Sequence, residues 1–275
     1  MKLKIWGSGG GEGVPSMFCS CATCQKAREL KGRDVRTRSC SMLNDRVMLD
    51  FGQDVFLNAV RYGANLSELS AIVFTHAHID HLASEELCMK APDYCDIPEG
   101  KRLPIYGNST CISEIRRELV YDLGRVPDIF DFHVLRAWET VQVGTLRITP
   151  LSARHTVLEE AFLLLIEEGD VRYLHCMDTS TPGEETMKYL AGKRLDGITM
   201  DCTYGDSREQ SDGHMGLPAN IRLKERLLAQ GSADEHTQFL LSHIAHHSTL
   251  MHEDLAALAA KSGLTAAYDG FETWF

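Results

Sequence analysis

Short apolar runs, each closed by a polar or turn residue, recur along the chain and set its organisation. KLKIW reads as a first strand running into the glycine-rich turn GSGGGEG. VMLDFG (47–52), LSAIVFTH (69–76), LPIYG (103–107), LRITPLSARH (146–155), FLLLIEEGDVRYLHCMD (162–178), LDGITMD (195–201) and TQFLLSH (237–243) read as further strands or strand pairs, rich in large apolar and β-branched residues. Between them, helical periodicity marks 22–30, 82–90, 109–119, 183–192, 216–229 and 251–262. Strands and helices interleave in both halves with no Pro/Gly/Ser linker, which predicts a single α/β domain over residues 1–275.

A second pattern lies on the first. His76, His155, Asp178, Asp201 and His243 each close an apolar run. Ligand-type residues at strand ends can converge on one edge of a sheet, where open α/β folds place their sites. The glycine turn is not a nucleotide loop: the position that needs the third glycine of G-x-G-x-x-G holds Glu12, and no GK[ST] follows. It reads as a tight backbone turn, with a close approach to a ligand left open.

Composition narrows the function classes. Hydrophobic residues make up 44% and charged residues 24%, as in a globular protein with a full core. The longest purely apolar stretch, AFLLLI (161–166), is too short to span a bilayer. MKLKIWGSGGGEG has no run of signal-peptide length, so a cytoplasmic protein without membrane contact is expected. A net charge of −11 argues against an extended nucleic-acid footprint. A small anionic substrate stays open, because bound metal reverses the local field.

Of nine cysteines, six are scattered and read as reduced structural thiols. Cys19, Cys21 and Cys24 (C-x-C-x-x-C) alone have ligand spacing. A closed tetrahedral zinc site needs a fourth ligand, and no further cysteine lies near. The densest signal is FTHAHIDHLA, with His76, His78, Asp80 and His81 directly after an apolar run. His76 and His78 share a side of an extended chain, and two pairs of N/O ligands at this spacing can serve two metals. Four polar residues on an ordinary exposed turn is a poor account of three histidines and an aspartate within six positions.

H-x-H-x-D-H after a strand resembles the metallo-β-lactamase fold superfamily, an αββα sandwich of two mixed sheets flanked by helices. The resemblance implies His76, His78 and His155 on one metal, Asp80, His81 and His243 on a second, and Asp178 bridging them, with Asp80 also counted as catalytic. If His243 enters that site, His246 three residues on can face a neighbouring pocket from the same helical turn. It would complete a structural Cys₃His zinc site with Cys19, Cys21 and Cys24; His247 and His252 compete for the role. The N-terminal glycine turn and C-x-C-x-x-C block, with MDTS, MDCTYGD, SHIAHH and AYDGFE, resemble the PhnP-type cyclic phosphodiesterases of the phosphonate-degrading C–P lyase pathway. That likeness implies His214 in QSDGHMGLP as general acid, two divalent catalytic ions (zinc or manganese), one structural zinc, and a small phosphate diester, cyclic in kind, as substrate. A homodimer is left open. A tRNA 3′-processing nuclease and a PqqB-like protein of redox-cofactor biosynthesis are the alternatives; the first lacks a basic arm here, and the second has an altered ligand set.

Overall fold

The apolar runs become two seven-stranded sheets in the computed structural model, which describes all residues except 97 and 99. The first sheet takes β1 (Lys2–Gly7), β2 (Cys40–Leu43), β3 (Val47–Leu49), β4 (Ala71–Val73), β5 (Leu103–Gly107) and β6 (Phe130–Val134). The second takes β7 (Val141–Val143), β8 (Leu146–Ser152), β9 (Phe162–Glu168), β10 (Val171–Cys176), β11 (Gly197–Asp201), β12 (Gln238–Ser242) and β13 (Thr265–Ala266). The chain then returns through β14 (Glu272–Trp274) to pair with β1.

Each sheet is antiparallel on one side and parallel on the other. Strands β1–β3 and β7–β10 run antiparallel to their neighbours, whereas β3–β6 and β10–β13 are parallel. Parallel neighbours need a crossover. Helices α2 (Val55–Tyr62), α3 (Ser84–Leu87) and α4 (Ser109–Leu123) make those of the first sheet. Helices α5 (Glu184–Leu190), α6 (Leu217–Ala229) and α7 (His252–Ala260) make those of the second, and α1 (Ala22–Leu30) lies between β1 and β2.

The core divides in the same way. Leu3, Ile5, Leu49 and Val73 of the first sheet pack against Ile148, Leu164, Tyr173 and Leu240 of the second, so the sheets face each other across an apolar layer. Ile72, Ile105, Ile112 and Ile115 belong to a second layer under α3 and α4, and Leu174, Ile198, Leu223 and Leu255 to a third under α6 and α7. This is the αββα sandwich expected from the sequence. Among the described residues, no helix is long and apolar enough to cross a membrane.

Several elements depart from expectation. The helix over 82–90 is α3 followed by a 3₁₀ turn at Cys88–Lys90. Helix α2 was not expected, because Phe56 and Val60 face solvent and blur its apolar period. Strands β2, β6, β7, β13 and β14 also escaped, being short or mixed in polarity. The strands read as ending at His76 and His155 stop at Val73 and Ser152. Both histidines therefore stand on loops leaving strands.

Candidate metal centre

Strands β8, β10, β11 and β12 run in one direction, so their carboxyl ends share an edge. His155, Asp178, Asp201 and His243 are at or just beyond those ends, and the loop after β4 brings His76, His78, Asp80 and His81 to meet them. The metal-facing atoms of His76, His78 and His155 lie within 4.8 Å of one another, as do those of Asp80, His81, Asp178 and His243. Asp178 touches both groups: Oδ2 is 3.3 Å from His76 Nε2 and 2.8 Å from His81 Nε2, and Oδ1 is 2.7 Å from His243 Nε2. Asp80 Oδ2 is 3.1 Å from His81 Nε2 and 3.5 Å from His243 Nε2.

The surrounding residues orient the rings. His81 Nδ1 donates to Asp50 at 2.7 Å. The Thr75 hydroxyl donates to Asp50 (3.0 Å), so its oxygen accepts from His76 Nδ1 at 3.0 Å. Thr203 likewise donates to Asp201 (3.0 Å) and accepts from His243 Nδ1 at 2.8 Å. His155 Nδ1 donates to the Gly213 carbonyl at 3.1 Å. A neutral imidazole has one N–H, so each of these rings turns an Nε2 lone pair to the cluster. His78 reverses the choice: its Nδ1 lies 2.9 Å from His155 Nε2.

Several of these atoms are buried yet make no hydrogen bond among the described residues: Nε2 of His76, His81 and His243, and Oδ1 of Asp178. Some lie close to one another, as His81 Nε2 does to Asp178 Oδ2 at 2.8 Å, without making a hydrogen bond. Buried polar atoms without partners are costly, and divalent cations in the two groups would satisfy them. The donor set of imidazoles and carboxylates fits such ions. Burial disfavours the protonated rings of His81 and His243, but the adjacent carboxylates outweigh it and hold both well above the ordinary value. Metal and proton compete for the same lone pairs.

The backbone is strained at these positions. Asp50, Asp178 and His243 have φ of 61°, 45° and 57°, in the left-handed region that few side chains adopt. Gly52 admits the loop: a Cβ there would meet the Asp80 carbonyl at 1.9 Å.

His214 reaches the same cluster from the loop before α6. Its ring stacks on that of His243 at 5.4 Å and meets His155 edge-on at 4.8 Å. Nδ1 donates to Asp201 Oδ2 at 2.7 Å. Burial lowers the pKa of His214, but the Asp201 carboxylate outweighs it, and the net shift is upward. Sequence reasoning placed Asp201 at a strand end without a role; it also missed Asp50, Thr75 and Thr203, whose sole signal was polarity at the end of an apolar run. A third carboxylate, Glu159, accepts the Ala77 amide (3.0 Å) between His76 and His78.

The thiols form a separate cluster with His246. His246 Nδ1 lies 3.4 Å from Cys19 Sγ and 3.5 Å from Cys21 Sγ, and all four ligand atoms, with Cys24, fall within 4.8 Å of one another. Backbone amides of Cys21, Cys24 and Ser16 donate to the sulfurs of Cys19, Cys21 and Cys24 in turn. Burial pushes the Cys24 thiol up to about 11. The expected helical turn linking His243 to His246 does not exist. After the left-handed His243 the chain forms a bridge at Ile244 and a turn, and this carries His246 to the thiols. His247 is half exposed, and His252 is buried 3.0 Å from Arg36 Nη2; neither joins the cluster.

Known proteins share this architecture. The chain spans about half the length of an octanoyltransferase of Porphyromonas gingivalis, to which it is 24% identical over 99% of its own length and 51% of that protein. It is 22% identical to a ribonuclease Z of Methanopyrus kandleri, over 80% of this chain and 74% of that one. Among solved structures, a diphosphatase of the PhnP family superposes with TM-score 0.77 at 24% identity, over 100% of this chain and 97% of that chain. Zinc-bound PqqB from Methylobacterium extorquens superposes with TM-score 0.79 at 20% identity, over all of both chains. The family model of the beta-lactamase superfamily domain matches residues 45–244, a span that contains all seven residues of the two His/Asp groups. The chain belongs to that superfamily, and its sandwich is the metallo-β-lactamase fold.

Proposed function

We propose that this protein is a metal-dependent phosphodiesterase that hydrolyses small, preferably cyclic, phosphate diesters. The observation that carries the reading is the pairing of two ligand groups through Asp178, with a carboxylate-held histidine, His214, beside them. His76, His78 and His155 would hold one divalent cation, Asp80, His81 and His243 the other, with zinc or manganese both suited to the donors. Two such ions supply a water of lowered pKa and offset charge on the phosphate oxygens.

The chain's own groups do the rest. Asp50, Thr75 and Thr203 keep the imidazoles in one tautomer, so the ligand geometry is set before substrate arrives. Asp201 holds the His214 proton at Nδ1 and favours the imidazolium, leaving Nε2–H to protonate the departing alkoxide. Cys19, Cys21, Cys24 and His246 would hold a closed zinc that contributes to folding.

An RNA substrate is the second reading, favoured by the likeness to ribonuclease Z. The net charge of −11 counts against it, because tRNA docking needs a basic surface. A PqqB-like role is weakened by a full set of seven ligand-type residues. Metal-analysed protein assayed on cyclic diesters, linear diesters and precursor tRNA separates them. Turnover of cyclic diesters is expected; turnover of precursor tRNA alone, or of nothing, would overturn the proposal.

A further inference from the structure

His246 has two ring nitrogens and two different neighbours. Nδ1 faces the thiols, and Nε2 lies 3.1 Å from Oε1 of Glu12. We propose that Glu12 is the positioning residue of the thiol site: its carboxylate accepts the Nε2 proton and thereby fixes the tautomer whose Nδ1 lone pair faces Cys19, Cys21 and Cys24. The inference rests on the reading of that cluster as a zinc site.

The chemistry follows from the proton count. A neutral imidazole carries one N–H, and a carboxylate beside Nε2 claims it, so Nδ1 is left free to bind metal. The 3.1 Å contact also restrains the ring's side-chain torsions. Without Glu12, the ring can carry its proton at Nδ1, where it cannot be a ligand.

The backbone that carries Glu12 is held in place. Glu12 sits on the glycine turn, whose backbone is pinned by bonds from Gly9 N to Thr37 O (2.7 Å) and Gly13 N to Gly10 O (2.9 Å). The turn is also tied to the segment that carries both His243 and His246, through Ile244 N to Ser8 O at 2.9 Å and Gly10 N to Ile244 O at 3.3 Å. Gly11 lets the turn lie against the catalytic cluster, since a Cβ there would come within 3.3 Å of the Asp80 carboxylate. The bend that borders Asp80 thus delivers the carboxylate that orients His246. Glu12 also lies 3.5 Å from His247 Nε2, the longer and more exposed of its two contacts.

Cadmium tests this, because its thiolate charge-transfer band reports the cysteine site alone, whatever the His/Asp groups hold. Competition of cadmium-loaded full-length protein against a chelator, followed by that band, is expected to show affinity weakened about 10–100-fold in Glu12→Ala. Glu12→Gln, whose amide oxygen still accepts the Nε2 proton, should recover most of the loss. His247→Ala should bind as the parent does. Parental affinity in Glu12→Ala would overturn the role of Glu12 while leaving the metal site standing, as would an equal loss in His247→Ala. A parent protein with no thiolate band would overturn the zinc reading and the inference together.

Discussion

Asp178 joins the two His/Asp groups through one side chain. Its two oxygens face His76 and His81 on one side and His243 on the other. Asp178→Ala should lose at least one catalytic metal and all diesterase turnover while keeping its fold; full metal content with normal turnover would contradict the shared-ligand geometry. As the proposed general acid, His214 would act through a proton, and its weight would depend on the leaving group. A positioned acid contributes about 10²–10⁴-fold when a basic alkoxide departs, whereas nitrophenolate leaves without one. His214→Ala should therefore cripple cyclic nucleotide hydrolysis and spare bis-nitrophenyl phosphate. Equal losses on both substrates would remove it as the acid. Asp201 raises the His214 pKa against the pull of burial, and activity that needs the protonated ring is lost as pH rises through that pKa. Asp201→Asn should move the basic limb of the kcat/KM profile to lower pH, measured on the cyclic substrate.

At the scale of elements, the thiol loop has two functions that one substitution can separate. Cys21 is the N-cap of α1, its side chain accepting from the Cys24 amide, and it is also one of the four cluster residues. Serine is a favoured N-cap, so Cys21→Ser keeps the cap and deletes the thiolate. A lower melting temperature and more aggregation are expected, with much of the activity retained by molecules that stay folded. A variant as stable as the parent but inactive would place the thiols in the reaction instead. Most of the cluster's side chains sit on loops just past strand ends, where rigid strands supply position and the loops supply the strained backbone of Asp178 and His243.

For the molecule as a whole, the site is the seam between two sheets. The β4 loop comes from one sheet, and Asp178 and His243 from the other, so metal held by these residues would tie the halves of the sandwich together. Cations that bind the native state alone stabilise it by mass action. Chelation should lower the melting temperature, and the gap between loaded and stripped protein should narrow on acidification. The raised pKa values of His81 and His243 set that sign. In stripped protein their protonation contributes stability that is complete below the ordinary value of 6.5 and lost as pH rises through the raised values. Metal affinity changes the opposite way, falling as protons take the lone pairs. A gap that widened in acid, read by calorimetry, would contradict this.

The sequence alone determined what local pattern can carry. The apolar run LPIYG specified β5 to the residue, helical periodicity marked α1 from Ala22 to about Leu30, and the H-x-H-x-D-H and C-x-C-x-x-C blocks announced metal chemistry, because ligand spacing and residue type are local properties. Asp178, His155 and His243 were legible as ligands through the resemblance to the superfamily's ligand order, to which their place after apolar runs added support. Tertiary structure decided the rest. Asp50 and Asp201 are strand-end acids without a role until packing puts them against His81 and His214. Glu12 reads as the residue that spoils a nucleotide motif until the fold lays it beside His246, more than two hundred positions away. These partners orient and tune through contacts between distant segments, and no pattern local to either segment encodes such a contact.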